Sequence, residues 1–269
     1  MKTLLYLCGN KKTISMTYKN KTDAKKLTGV SYLGSVNLTT KHEKAFNYGE
    51  MTYALYLAPA RMSGYEVCPK RNEECTALCL NESGHNRMSK NGNDVNKINQ
   101  SRIIKTKLFF EEREFFMNWL IDEISTAKNK AEKLGYNFSV RLNNTSDIPP
   151  TLFWLDCDGV KKTILNIFPD VMFYDYTKVL SRITLLDKYP NYDLTFSYSG
   201  YNFDECLTAL SKNVRVAVVF KEVPEIFWGY KVIDGDKYDM RYYDEKNVII
   251  GLKFKKVRNS IPENSKFVI

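Results

Sequence analysis

Along residues 101–135, SRIIKTKLFFEEREFFMNWLIDEISTAKNKAEKLG, apolar side chains at Leu108, Phe109, Phe116, Leu120, Ile121 and Ile124 recur near helical spacing. One face of this segment is therefore apolar and needs a surface to cover. Gly135 follows as a helix stop. Beyond it the period changes. Short runs of β-branched and aromatic residues at 138–142, 171–176, 193–198, 214–220, 229–233 and 247–254 predict strands. Helices are predicted near 158–168, 178–189 and 203–212. Strand, helix, strand at intervals of about 20–35 residues marks parallel β–α units. The expected class is α/β: a full or partial (β/α) barrel of mostly parallel strands, with an open doubly wound sheet as the alternative.

Before this region the texture differs. Residues 1–60 are rich in Thr, Lys and Tyr and read as a β-containing extension. It begins with a strand at Leu4–Cys8 and ends in TYALYLAPA, residues 52–60, stopped by Pro59. Residues 61–100 form a cysteine-bearing segment followed by the polar run 81–100, which reads as a surface loop. Residues 101–269 are the barrel-like region, and 61–269 are expected to be one domain.

A chain of 269 residues suits one large domain or two modest ones. Its formal charge of +9 favours polyanionic partners such as nucleic acid, and equally serves as a solubilising surface. The basic segments 19–26 and 253–260 are candidate phosphate contacts. No run approaches the ~20 apolar residues of a membrane span. The apolar run at Leu4–Cys8 is too short for a signal peptide. A cytoplasmic location follows, where thiols stay reduced. The six cysteines then argue for ligands or plain packing, and the isolated Cys8, Cys157 and Cys206 read as small buried apolar residues.

Each predicted strand ends in polar groups: Asn143, Thr145, Ser146 and Asp147; then Asp175, Tyr176, Thr177 and Lys178; then Ser197 and Ser199. In parallel α/β folds these ends face one mouth, where chemistry sits. Asp147, Tyr176 and Lys178 are the candidate catalytic groups, and Asn143, Ser146, Asp147, Thr177 and Ser197 the candidate cofactor-binding groups. The same residue types also serve as caps and turn formers. Asp234, Asp236, Asp239 and Asp244 could bind a hard cation, but their spacing fits a turn with solvated carboxylates better.

The densest chemistry is YEVCPKRNEECTALCLNESGHNR, residues 65–87, with the spacing Cys-x6-Cys-x3-Cys and a histidine after it. Thiolates suit zinc and iron–sulfur centres. Cys68, Cys75, Cys79 and His85 could complete a structural Cys3His zinc site. Cys68, Cys75 and Cys79 alone could hold a 4Fe–4S cluster with one iron open to S-adenosylmethionine. Arg61, Arg87 and Lys178 could offset the charge of such a cluster or grip phosphates.

The stretch YLAPARMSGYEVCPKRNEECTALCLNESGHNR resembles the signature of the phage gene product 88 family of bacteriophages and mobile elements. Matches continue in order through RIIKTKLFFEEREFFMNWLIDEI, VRLNNTSDI, FYDYTK, YDLTFSYSG and VIDGDKYDMRYYDEKNVIIGLKFK, covering roughly residues 50–256. The resemblance implies a viral or mobile-element origin, hence the cytoplasm of a bacterial host. A second resemblance is to radical-SAM-like proteins, in which a cysteine cluster precedes strands ending in polar pairs; here Ser146–Asp147, Thr177–Lys178 and Thr195–Ser197 fall in that order. It implies a radical enzyme acting on or binding nucleic acid, with an electron donor from the host. The chain departs from that pattern, because the usual radical-enzyme spacing is Cys-x3-Cys-x2-Cys and no glycine-rich segment is evident. The competing expectation is a non-enzymatic zinc protein that binds DNA or a host protein and regulates it.

Overall fold

A computed structural model describes residues 16–36, 40–83, 96–255, 257 and 259–269. The expected first strand at Leu4–Cys8, Cys8 itself, His85 and Arg87 lie outside the described residues. In chain order the elements are α1 (Lys21–Thr28), β1 (Gly34–Ser35), α2 (Thr40–Phe46) and β2 (Glu50–Leu55), then α3 (Glu73–Ala77), α4 (Lys97–Glu111), α5 (Arg113–Leu134) and β3 (Asn137–Arg141). They continue with β4 (Trp154–Cys157), β5 (Val160–Thr163), α6 (Ile164–Ile167), β6 (Met172–Thr177), α7 (Leu185–Lys188) and β7 (Tyr192–Ser197). The last are α8 (Phe203–Ser211), β8 (Arg215–Phe220), β9 (Ile226–Phe227), β10 (Tyr230–Asp234) and β11 (Ile249–Lys253).

Nine strands form one sheet in the order β1-β2-β3-β6-β7-β8-β11-β10-β9. Every neighbouring pair from β2 to β10 is parallel, and only the edge pairs β1–β2 and β10–β9 are antiparallel. The parallel β–α reading of the sequence therefore holds. The sheet does not close: β1 and β9 remain its two edges, so a full barrel is not formed. The 1–60 stretch contributes β2, which pairs along its length with β3.

Period-2 alternation divides the sheet into two faces. Tyr53, Leu55, Val140, Phe173, Leu194, Phe196, Val216, Val218 and Ile249 enter one core with Phe109, Phe116, Trp119 and Leu120 of α4 and α5. The alternate residues make the other face polar from β2 to β7, while towards β11 it carries a small apolar cluster of Ala217, Val248 and Ile250. On that face Thr52 and Ser139 share a 2.9 Å hydrogen bond, and Arg141, Tyr174 and Arg215 project beside them. Segment 238–245, with a 3-10 turn at Arg241–Tyr243, lies against this face. Tyr242 and Tyr243 donate to Glu50 at 2.7 and 2.9 Å. Arg141 meets Asp239 at 2.5 Å, and Arg215 meets Asp193 at 2.9 Å.

The helical pattern at 101–135 resolves into two helices rather than one. The break falls at Glu112, whose backbone leaves the helical region at φ −126°, ψ 56°, within the charged run 111–114. Gly135 ends α5 as expected: it adopts φ 73°, open to glycine, and its N–H returns to Ala131 and Glu132. The helix expected at 158–168 is mostly a hairpin. Asp158 and Gly159 take φ 54° and 83° and turn β4 into β5; an Asp-Gly pair is a strong hairpin signal, and it overrides the helical reading. The 178–189 helix is reduced to a 3-10 turn, Leu180–Thr184, and the short α7.

Candidate functional site

The cysteine segment leaves the end of β2 and returns through α4 and α5 to β3. It thus sits on the first crossover of the parallel series, at the strand ends. Asn72 caps α3 by accepting the N–H of Cys75 at 2.7 Å, and its Nδ2 donates to the Ser199 carbonyl at 2.6 Å after β7. The Val67 carbonyl accepts the Asp147 N–H at 2.7 Å, and Cys68 Sγ lies 3.9 Å from the Thr145 carbonyl after β3. The loop is therefore pinned to two strand ends. All three thiols are free and partly buried.

Burial pushes the Lys178 ammonium down, but Cys75, Asp147, Cys68 and Cys79 outweigh it and hold its pKa above the ordinary lysine value. All three sulfurs are thus within electrostatic reach of one cation. Burial pushes the Cys68 thiol up to about 12. It pushes Cys79 up as well, against the opposing pull of the Asn81 N–H, Lys178 and Arg102. The Cys68 and Cys79 thiols therefore keep their protons at neutral pH, protons that any metal bound there would have to displace. Among the described residues no group of three His, Cys, Asp or Glu side chains is arranged to hold a metal ion.

Asn143, Ser146, Asp147 and Thr177 come together, as a brace. Asn143 donates to Asp175 at 2.9 Å and to the Ile148 carbonyl at 2.8 Å, while its Oδ1 accepts from Ser146 at 2.8 Å and the Ile148 N–H at 2.9 Å. Asp147 accepts from the Thr177 hydroxyl at 2.7 Å, the Lys178 N–H at 2.9 Å, and Arg182. Arg182 also reaches Asp175 at 3.2 Å and the Tyr192 hydroxyl at 2.6 Å. The polar atoms of Asn143 and Asp147 are thereby engaged in joining β3, β6 and β7. A cleft of about 310 Å3, lined by Pro69, Asp147, Pro149, Val179, Arg182 and Leu185, adjoins the brace next to Cys68.

Tyr176 is different. Its hydroxyl is buried without a hydrogen-bond partner among the described residues, as is that of Thr195, and the Arg141 guanidinium lies 4.6 Å from its ring centroid. Ser197 gives its carbonyl to Asn202 at 3.0 Å. Arg61 is mostly exposed and pairs with Glu66 at 3.3 Å on the outside of the loop. The four aspartates do not share a centre. Asp239 meets Arg141, Asp244 meets Arg241 at 3.0 Å, Asp234 accepts the Asp236 N–H at 2.8 Å, and Asp236 lies 3.5 Å from Lys255. Cys206 is fully buried in the core, in line with the packing expectation, whereas Cys157 is half-buried.

Three participants have no local signature in the sequence. Arg182 finds Asp147 and Asp175 only through topology. Arg102 on α4 reaches over the Tyr56 ring, 5.0 Å from its centroid, and acts on Cys79. Glu74 binds residues near 266, far along the chain.

The gene product 88 family model matches residues 14–268. The chain belongs to the gene product 88 family. The match spans the cysteine segment, the brace and the whole described sheet. No curated protein and no solved structure matches the chain.

Proposed function

We propose that this gene product 88 protein is an iron–sulfur protein of radical-SAM-like design, in which Cys68, Cys75 and Cys79 hold a 4Fe–4S cluster and leave one iron open. What supports the reading is that all three cysteines act electrostatically on Lys178 and that their loop is pinned to the ends of β3 and β7 on the crossover after the first parallel strand. Six strands, β2-β3-β6-β7-β8-β11, follow in sequence order without reversal. A doubly wound sheet reverses at a switch point, so the arrangement reads as a partial, open barrel. When bound, the cluster would supply one electron to an S-adenosylmethionine chelated at its open iron. The protein's own part is to bind the cluster through three deprotonated thiols and to surround it with the positive charge of Lys178 and Arg102.

Nucleic acid is the substrate class favoured by the charge of +9. The test is anaerobic reconstitution followed by iron and sulfide analysis. A brown protein that cleaves S-adenosylmethionine after reduction supports the reading. Zinc retained without sulfide overturns it in favour of a structural site. A cluster that neither binds nor cleaves S-adenosylmethionine leaves an iron–sulfur protein and removes the radical chemistry. Steep loss of DNA or RNA binding with added salt is expected; salt-independent or absent binding removes the nucleic-acid assignment.

A further inference from the structure

Glu74 precedes Cys75 on α3 and ties it to a distant part of the chain. Its carboxylate accepts from Ser265 Oγ at 2.5 Å, from the N–H groups of Lys266 and Phe267 at 3.2 Å each, and from the Tyr201 hydroxyl at 3.1 Å. A second tie follows at the helix end, where Asn259 Nδ2 donates to the Ala77 carbonyl at 2.8 Å. Leu78 then packs with Val257 and Val268 in a small apolar cluster that Phe267 joins.

The same segment is fixed to the sheet on its other side. β7 stops pairing with β8 at Ser197↔Ala217, and Val268 takes up the vacated edge in a parallel bridge to Val219. Ile269 donates to the Val219 carbonyl at 3.0 Å and accepts from the Lys221 N–H at 2.6 Å. Gly200, after β7, has φ 93°, and a Cβ there would come within 2.9 Å of the Lys266 carbonyl carbon. The close fit of loop and segment thus requires glycine. Phe267 carries the segment into the thiol site: its ring lies 5.9 Å from the Lys178 ammonium.

We propose that residues 265–269 form a wall of the thiol site, and that Glu74 is the positioning residue that keeps Cys75 and Cys79 gathered at Lys178 by holding this wall in place. The inference rests on the reading that the three cysteines act as one set; it does not depend on which metal they hold. Local opening of the strap would release α3 and expose both thiols together, while the core keeps its structure.

The test uses the full chain, reduced and metal-free, with iodoacetamide alkylation followed cysteine by cysteine by mass spectrometry. Charge-assisted hydrogen bonds are the stronger kind, so E74Q is expected to speed alkylation of Cys75 and Cys79 roughly tenfold relative to Cys206. E74D, which keeps the carboxylate, is expected to stay nearer the parent. Unchanged rates at Cys75 and Cys79 in a folded E74Q would overturn the proposal. If E74Q fails to melt cooperatively, F267A decides. It keeps every bond to Glu74 and removes the ring that both faces Lys178 and packs on the Leu78 cluster; faster alkylation of Cys75 and Cys79 supports the wall, and parental rates refute it. Iron and zinc contents of the parent are measured in parallel. Retention of neither metal defeats the iron–sulfur reading while the alkylation result still judges the strap.

Discussion

Around segment 238–245, Arg141 meets Asp239, Arg215 meets Asp193 and Arg241 meets Asp244, each within 3.0 Å. Around the cysteine loop, Lys178 and Arg102 meet aromatic rings and an asparagine and lie within electrostatic reach of cysteine sulfur. Lys178 has the Asp147 carboxylate nearby, but those oxygens are already committed to Thr177, Arg182 and a backbone N–H. Both regions are poorly exposed and lie along the same sheet. In the first, charges cancel pairwise and the region is complete as it stands. In the second, the Lys178 pKa is held up against burial by Cys75, Asp147, Cys68 and Cys79 together, and Arg102 has Tyr56, Cys79 and Glu82 as its electrostatic neighbours, while burial pushes the Cys68 and Cys79 thiols up.

The largest expected effect breaks the first region. Asp239→Asn leaves the mostly buried Arg141 without its countercharge and should cost about 3–5 kcal/mol in denaturant unfolding, while the iron content of the molecules that remain folded is unchanged. A change under ~1 kcal/mol would show that the pairing is not structural. The second effect addresses the mouth. Lys178→Met should alter stability by less than about 1 kcal/mol. Because it removes a positive charge beside the proposed cluster, it should lower the cluster's reduction potential, measured by redox titration. A potential that does not move would remove Lys178 from the site.

A third effect is pH-dependent and belongs to neither region. Burial pushes the Cys206 thiol up to about 12, so the folded chain keeps this proton where the unfolded chain has lost it. Stability is then present below the ordinary thiol pKa of about 9 and is lost as pH rises toward about 12. Cys206→Ala should flatten that part of the alkaline decline in pH-dependent unfolding; an unchanged slope would exclude Cys206 as a contributor. The smallest effect is a surface control. Lys128 and Asp170 pair where Asp170 is largely exposed, so Asp170→Asn should cost under ~0.5 kcal/mol by thermal melting. A loss as large as that of Asp239→Asn would mean that exposure does not separate the two kinds of pair.

Parallel β–α units were readable because strand runs and Gly135 carry their own local signals. The hairpin at 154–163 replaces the expected helix for a local reason: Asp158–Gly159 is itself a turn signal, and the length and spacing of the run do not show it. Glu112 interrupts 101–135 inside a charged cluster whose apolar neighbours keep near-helical spacing, so periodicity alone does not reveal the break. The cysteines announced themselves through side-chain chemistry. Arg182, Arg102 and Glu74 could not, because each finds its partners through strand order or through contacts up to 193 residues away. The polar groups at strand ends were legible as a set, but local sequence does not distinguish a brace such as Asn143–Asp147 from a group left open such as the Tyr176 hydroxyl. That difference is decided by which hydrogen-bonding atoms the tertiary structure has already used.

On the proposed reading, the second region holds a 4Fe–4S core through three thiolates. The most direct test is iron, sulfide and zinc analysis of anaerobically reconstituted protein, beside the Cys68→Ala, Cys75→Ala and Cys79→Ala variants. The account predicts roughly four irons and four sulfides per chain in the parent, the content of one 4Fe–4S centre, and loss of both in each variant. Zinc without sulfide in the parent, or iron retained when any one of these thiols is removed, would contradict it.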